Sequence, residues 1–272
     1  AMEATLANTI EPGDTVLVAV KGYFGLRQAD MASRYGARVV TIECPWGEAF
    51  SLDQIADALA THKPTILAMV HAETSTGVCQ PMDGIGDLCH QHDCLLLLDT
   101  VTSLGGVPLF LDAWKVDLAY SCSQKGLSCP PGLGPFSMGP RAEVKLAGRS
   151  GKVPNWYLDV SLLNQYWGSD RVYHHTAPVN MNFGMREALR LLAEEGLEQA
   201  WARHRSNAER LWAGLERLGL SLHVREELRL ATLTTVRIPE GVDGKAFSRH
   251  LLDCHGIEIG GGLGALAGKV WR

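Results

Sequence analysis

The stretch 94-CLLLLD-99 carries four consecutive leucines into a carboxylate, and 117-DLAYSCSQKG-126 follows a second short apolar run with a lysine. Runs this short, with little polar alternation, are the pattern of strands buried on both faces of a largely parallel sheet. Working outward, four more segments share it: 15-TVLVAV-20, 37-ARVVTIE-43, 65-TILAMV-70 and 134-GPFSMG-139. Between several of them lie amphipathic stretches that predict helices: 26-LRQADMASRYG-36, closed by Gly36, then 52-LDQIADALATH-62 and 83-DGIGDLCHQH-92. The alternation predicts an α/β fold, a mostly parallel sheet with helices on both faces. Ligands of such sheets sit beyond the carboxyl ends of the strands, which is where Asp99 and Lys125 fall.

The second half changes character. A loop-rich stretch over 148–180 leads into a long helical pattern over 182–219, interrupted by Gly196. Beyond it, 231-ATLTTVRIP-239 and 257-IEIG-260 read as strands flanking a helix at 244-GKAFSRHLLDCHG-256, a smaller α+β unit. The expected division is a large domain over 1–195 and a small one over 196–272. At the first end, Met2, Leu6 and Ile10 recur at helical spacing with no capping residue before them, until Pro12-Gly13 stops the pattern. The other end stops on an apparent strand. Both ends predict an internal fragment: a large domain lacking its N-terminal part and an incomplete small domain.

Composition narrows the function classes. Hydrophobic residues at 46% supply a core, and a net charge of −5 leaves no basic surplus for a nucleic-acid backbone. No apolar run is long enough to cross a bilayer. Seven cysteines, an odd number without framework spacing, point to a reducing interior. Cys89-His90-Gln91-His92-Asp93-Cys94 gathers possible metal ligands where a helix hands over to a strand, so the side chains are expected to diverge and to be structural, with no metal bound. The segment 262-GLGALA-267 meets only a loose dinucleotide pattern, and no phosphate-binding P-loop is present. The doublet His174-His175 is read as packing or hydrogen bonding, on the ground that adjacent side chains point apart.

Asp99 alone reads equally as a loop-closing acid, and Lys125 alone as a solvated lysine. Together, 26 residues apart at the ends of successive strands, they form the pair that a pyridoxal phosphate enzyme needs: an amine for covalent attachment and an acid on the pyridine nitrogen. Pro130-Pro131-Gly132 would fix the loop behind the lysine. The segments 22-GYFG-25 and 74-TSTG-77 also follow strands and are expected to line the same site.

The segments 71-HAETSTGV-78, 95-LLLLDTVTSLGGVPL-109, 119-AYSCSQKGLSCPPG-132, 172-VYHHTAPV-179 and 258-EIGGGLGALAGKVWR-272 resemble, in order and over essentially the whole chain, the class V aminotransferases of pyridoxal phosphate fold type I, in their alanine–glyoxylate (serine–pyruvate) branch. The resemblance implies transfer of an amino group from alanine or serine to glyoxylate or pyruvate, with serine–glyoxylate or 3-hydroxykynurenine transamination as the alternative within the family. It implies Lys125 as the covalent lysine, Asp99 on the ring nitrogen, and Val101 and Phe24 on the two ring faces. Thr74 would approach the cofactor where the family carries a serine, and Gln124 would reach the phosphate. Tyr173 and Thr176 would reach it from the neighbouring subunit of a homodimer, and Arg272 would grip the substrate carboxylate. Phe24 stands where the family has tryptophan, which weakens stacking modestly, and Gly126 replaces an alanine and is expected to loosen the loop. The family's Ser-Gly-His phosphate loop would lie just before Ala1. An inactive remnant is therefore the reading opposed to the enzyme. The implied location is intracellular: peroxisomal or mitochondrial in a eukaryote, cytoplasmic in a bacterium.

Overall fold

The computed structural model describes residues 1–272. In chain order the elements are α1 (Met2–Thr9), β1 (Thr15–Val20), α2 (Tyr23–Arg34), β2 (Arg38–Glu43), α3 (Leu52–His62), β3 (Ile66–Val70), β4 (Ala72–Glu73), β5 (Val78–Cys79), α4 (Ile85–Gln91), β6 (Leu95–Asp99), β7 (Leu118–Tyr120) and β8 (Phe136–Met138). They continue with α5 (Pro140–Ala147), α6 (Val160–Trp167), α7 (Val179–Glu195), α8 (Leu197–Arg217), β9 (Val236–Arg237), α9 (Gly244–His255) and β10 (Val270–Trp271).

Six strands form one sheet in the order β2-β1-β3-β6-β7-β8, all parallel until the antiparallel β7–β8 pair at the edge. Alternate side chains face opposite ways along each strand, and each face meets its own helices. Leu17, Leu67, Met69, Leu96 and Leu98 pack with Ile55 and Leu59 of α3 and Ile85 of α4. Val16, Val18, Ile66, Leu95 and Leu97 pack with Leu6 of α1, Ala32 of α2 and Ala142 of α5. Each fully buried leucine removes enough apolar surface from water to contribute roughly 1.5–3 kcal/mol, which pins the strand register and hence the positions of the strand ends. No helix is long and apolar enough to cross a membrane.

Local chemistry sets several boundaries. Ser51 caps α3 in a reciprocal box with Gln54, and Asp243 caps α9 through Lys245 and Ala246. Gly196, at φ 86°, separates α7 from α8 where the sequence interrupts the helical pattern. Two expectations change. Residues 257–260 form no strand; β9 pairs instead with β10, because the glycine-rich 260–262 segment exchanges backbone bonds with 270–272. His174 and His175 lie in irregular backbone, so side-chain alternation does not apply, and their Nδ1 atoms approach to 2.9 Å. Trp156 stacks on His174 at 4.1 Å, so the pair still serves packing and hydrogen bonding. In the Cys89–Cys94 segment the two cysteines turn inward while His92 and Asp93 are exposed.

Candidate active site

The carboxyl ends of β1, β3, β6 and β7 converge. Asp99 ends β6, beside Val70 of β3 and Tyr120 of β7 in the strand registers. It is 2% exposed, and its carboxylate accepts from Tyr120 Oη at 2.6 Å and from the Val101 backbone N–H at 2.8 Å. Tyr120 Oη in turn accepts from Gln28 Nε2 of α2 at 3.1 Å. Burial lifts the Asp99 carboxyl to about 6, with Glu73 adding to the rise while the two hydrogen bonds and Lys21 oppose it. Burial and the adjacent Asp99 also push the Tyr120 phenol upward, so it remains a donor. A buried acid held this way suits a positively charged ring N–H.

Val101 follows directly, half-buried. Thr74 is buried in the turn between β4 and β5, where its Oγ1 hydrogen-bonds Thr102 Oγ1 of the Asp99 loop. Phe24 lies in the first turn of α2, edge-on to Tyr23, with the Arg27 guanidinium 4.9 Å from its ring centre. The two segments expected to share one site are in contact: the Tyr23 N–H donates to Ser75 Oγ at 2.9 Å. Arg272 reaches the same place from the far end of the chain, donating to Thr74 O at 3.2 Å and to Gly261 O at 2.7 Å. Burial lowers its guanidinium's proton affinity, and Glu73 opposes that shift.

Lys125 stands exposed in the loop after β7, unpaired, whereas Lys115 and Lys145 are held in ion pairs. Gln124 beside it is also exposed. The loop itself is tightly knit: Ser123 is fully buried, and its hydroxyl donates to Pro130 O at 2.7 Å and accepts from the Leu133 N–H at 3.3 Å. Gly126 does not loosen it. A Cβ there would strike the carbonyl of Leu104, and it would lie 3.0 Å from Gly106 N. The glycine permits close backbone approach between the Lys125 and Asp99 loops.

Tyr173 and Thr176 do not join this group within the chain. Both are exposed, and Tyr173 Oη lies 3.2 Å from Thr176 Oγ1. Sequence reasoning missed Tyr120, Thr102, Lys21 and Glu73, while Ser75 lies in the 74–77 segment expected to line the site. Two of these were accessible to the strand-end rule, since Tyr120 ends β7 as Asp99 ends β6, and Lys21 follows β1. The donor set fits pyridoxal phosphate: a buried carboxyl for the ring nitrogen, a free amine, an aromatic and a valine for the faces, and a guanidinium for a carboxylate.

A family model described as aminotransferase class-V matches residues 1–267. The chain is 47% identical over 276 residues to the alanine–glyoxylate aminotransferase of Callithrix jacchus, covering 100% of this chain and 67% of that protein. It is 39% identical over 289 residues to the (S)-ureidoglycine–glyoxylate transaminase of Bacillus subtilis, covering 100% and 70%. The solved alanine–glyoxylate aminotransferase from Nostoc sp. superposes with a TM-score of 0.98 at 66% identity, covering 99% of this chain and 72% of that one.

Proposed function

Since this chain belongs to the class V aminotransferases, we propose that it transfers the amino group of alanine or serine to glyoxylate or pyruvate with pyridoxal 5′-phosphate as cofactor. The observation that carries the cofactor reading is Asp99, buried at a strand end and fixed by two donors beside the loop that bears Lys125. The glyoxylate acceptor has support from both the marmoset and the Bacillus relatives, whose names share it while differing in donor.

When bound, the cofactor supplies an electron sink for charge developing at the donor's α-carbon. Asp99 holds the ring nitrogen protonated, and Tyr120 and Val101 N–H keep its carboxyl oriented. The Lys125 amine would hold the cofactor covalently, and, once free of it, its Nζ would accept and return the donor's α-proton. Val101 and Phe24 confine the ring between apolar faces. Thr74 would approach the cofactor with its hydroxyl, Gln124 would reach the phosphate, and the planar fork of Arg272 suits two-point binding of the substrate α-carboxylate.

Tyr173 and Thr176 act on the phosphate of the neighbouring subunit in a homodimer. The exposed rings of Trp156, Trp167, Tyr173 and Phe183 support an interface in that region. Residues 196–272 form the small domain, entered at Gly196. An intracellular location, peroxisomal or mitochondrial in a eukaryote and cytoplasmic in a bacterium, accords with seven unpaired cysteines.

The test combines visible absorbance on addition of pyridoxal phosphate with an alanine–glyoxylate transamination assay. The wild-type chain is expected to develop the bound-cofactor band and Lys125→Ala to lose it. A band that survives Lys125→Ala would show that another amine holds the cofactor.

A further inference from the structure

Behind the Asp99 clamp stands a buried amide to which the proposed chemistry gives no role. Gln28 of α2 is 0% exposed. It lies one helical turn after Phe24, so the two side chains leave the same face of the helix. A Cβ on Gly25 would come within 3.0 Å of Val20 Cα, so the glycine lets α2 lie close on β1. From there Gln28 Nε2 reaches Tyr120 Oη at 3.1 Å, across 92 positions of the chain. The Tyr120 ring is 2% exposed and packs with Val20 of β1 and Ala32 of α2, which fixes its oxygen while the O–H can still rotate.

The directions of these bonds follow from the chemistry of the groups. An ionised carboxylate only accepts, so the single Tyr120 hydroxyl proton points to Asp99 Oδ2, 2.6 Å away. The group facing the tyrosine oxygen from the other side must then donate, which an amide N–H does. Gln28 Oε1, also buried, meets no donor. A turned amide would offer Oε1 to Tyr120 instead and compete with Asp99 for its one proton. The amide orientation thus decides which partner receives that proton. The titratable groups around Asp99 are Tyr120 of β7, Glu73 of β4, Lys21 after β1 and Cys122 after β7, and of these only Tyr120 bonds Gln28. Any hydrogen-bonded influence of Gln28 on the carboxylate therefore runs through the tyrosine.

We propose that Gln28 is a positioning residue: its amide N–H occupies the Tyr120 oxygen, commits the tyrosine proton to Asp99, and so holds the ionised carboxylate in the orientation that faces the cofactor ring. Helix α2 then sets two sides of the ring site, one through Phe24 and one through Gln28. The part concerning the ring rests on the cofactor reading above; the Gln28–Tyr120–Asp99 chain does not.

The experiment titrates the Asp99 carboxyl carbon by NMR in the cofactor-free full chain, as wild type, Gln28→Met, Tyr120→Phe and the combined variant. Methionine keeps the length of the glutamine side chain and removes its donor. Tyr120→Phe deletes a hydrogen bond to a charged group and should raise the midpoint by about 1–2 units. Gln28→Met removes the donor that polarises that bond and should raise the midpoint by about 0.3–0.6 unit. In the Tyr120→Phe background it should move the midpoint no further. Damage to packing alone would act equally in both backgrounds. A Gln28→Met midpoint within about 0.1 unit of wild type overturns the proposal, as does a fall or a shift that persists without the tyrosine hydroxyl. Should Gln28→Met not fold, the wild-type chain decides: the Gln28 side-chain amide resonances should move with the Asp99 midpoint, and resonances that ignore it overturn the chain. With pyridoxal phosphate added, visible absorbance should show Gln28→Met binding it about two- to five-fold more weakly. Unchanged affinity overturns the role at the ring. A wild-type chain with no visible band counts against the cofactor reading instead, and the titration then decides the hydrogen-bonded chain alone.

Discussion

Asp99 and Tyr173 are assigned to one cofactor, yet the first is 2% exposed and the second 72%. Asp99 closes a strand whose leucines pack on both faces of the sheet, and two donors fix its carboxylate before any ligand arrives. Tyr173 lies in irregular backbone among other exposed rings, and its hydroxyl reaches only Thr176. The first region is organised by the core of a single chain. In the proposed dimer the second acquires its role only when the partner's surface covers it. Substitutions in the first should therefore disturb folding and chemistry together, and those in the second should disturb assembly and cofactor retention while leaving the fold alone.

Lys125 is the strongest way to break that division, because it is exposed like Tyr173 and yet is the residue proposed to carry the chemistry. Lys125→Ala should cut transamination by at least about 10³-fold. Its thermal unfolding without cofactor should stay within a degree or two of wild type, about the shift that a surface change of up to 0.5 kcal/mol gives. A variant that unfolds much earlier would place the lysine on the structural side. Within the core, Leu97→Ala leaves a cavity two residues from Asp99. It is expected to cost about 2–5 kcal/mol in urea unfolding, and the cofactor band should weaken with it. A full cofactor band on the destabilised variant would separate the two functions that the comparison joins.

A smaller effect concerns pH. The Asp99 carboxyl sits at about 6 in the fold, above the ordinary 3.8, so the native state binds this proton more tightly than the unfolded chain. Its contribution is absent below the unfolded value, grows increasingly unfavourable as pH rises through roughly 4 to 6, and is constant above that window. Asp99→Asn removes it. The stability of the cofactor-free variant relative to wild type should therefore rise by up to about 3 kcal/mol between pH 4 and pH 7. Urea titrations at several pH values check this, and a flat difference would mean that Asp99 ionises at its ordinary value. The smallest expected change is at Tyr173. Tyr173→Phe should alter unfolding by less than about 0.5 kcal/mol, while cofactor affinity falls several-fold in the dimer. An equal fall measured in dilute monomer would bring Tyr173 back to its own chain's site.

Most of the sheet was readable because buried parallel strands are unbroken apolar runs, and all six lie where those runs fall. Asp99 was legible as the polar residue ending such a run, and Gly196 as the break in a helical period. The small elements were less so. The 257-IEIG-260 run has strand composition, but its neighbouring glycines bond to 270–272, and composition does not specify which of two segments pairs. The facing rings of His174 and His175 were misjudged because alternation holds for extended backbone only. Gly126 was read as loosening a loop, when a neighbour absent from its local sequence, the Leu104 carbonyl, demands it.

The amino-acid sequence by itself determined the α/β class, the strand positions, the family and the pairing of an acid with a lysine at successive strand ends. These follow from periodicity and from motifs that are local in the chain. Only the tertiary structure decided that Tyr120 clamps Asp99, that Arg272 reaches Thr74 across the chain, and that Lys21 is buried against the Val70 carbonyl. Those contacts join residues tens to hundreds of positions apart. Burial, which sets the cost of a charge and so the need for a partner, exists only once the chain has closed around it.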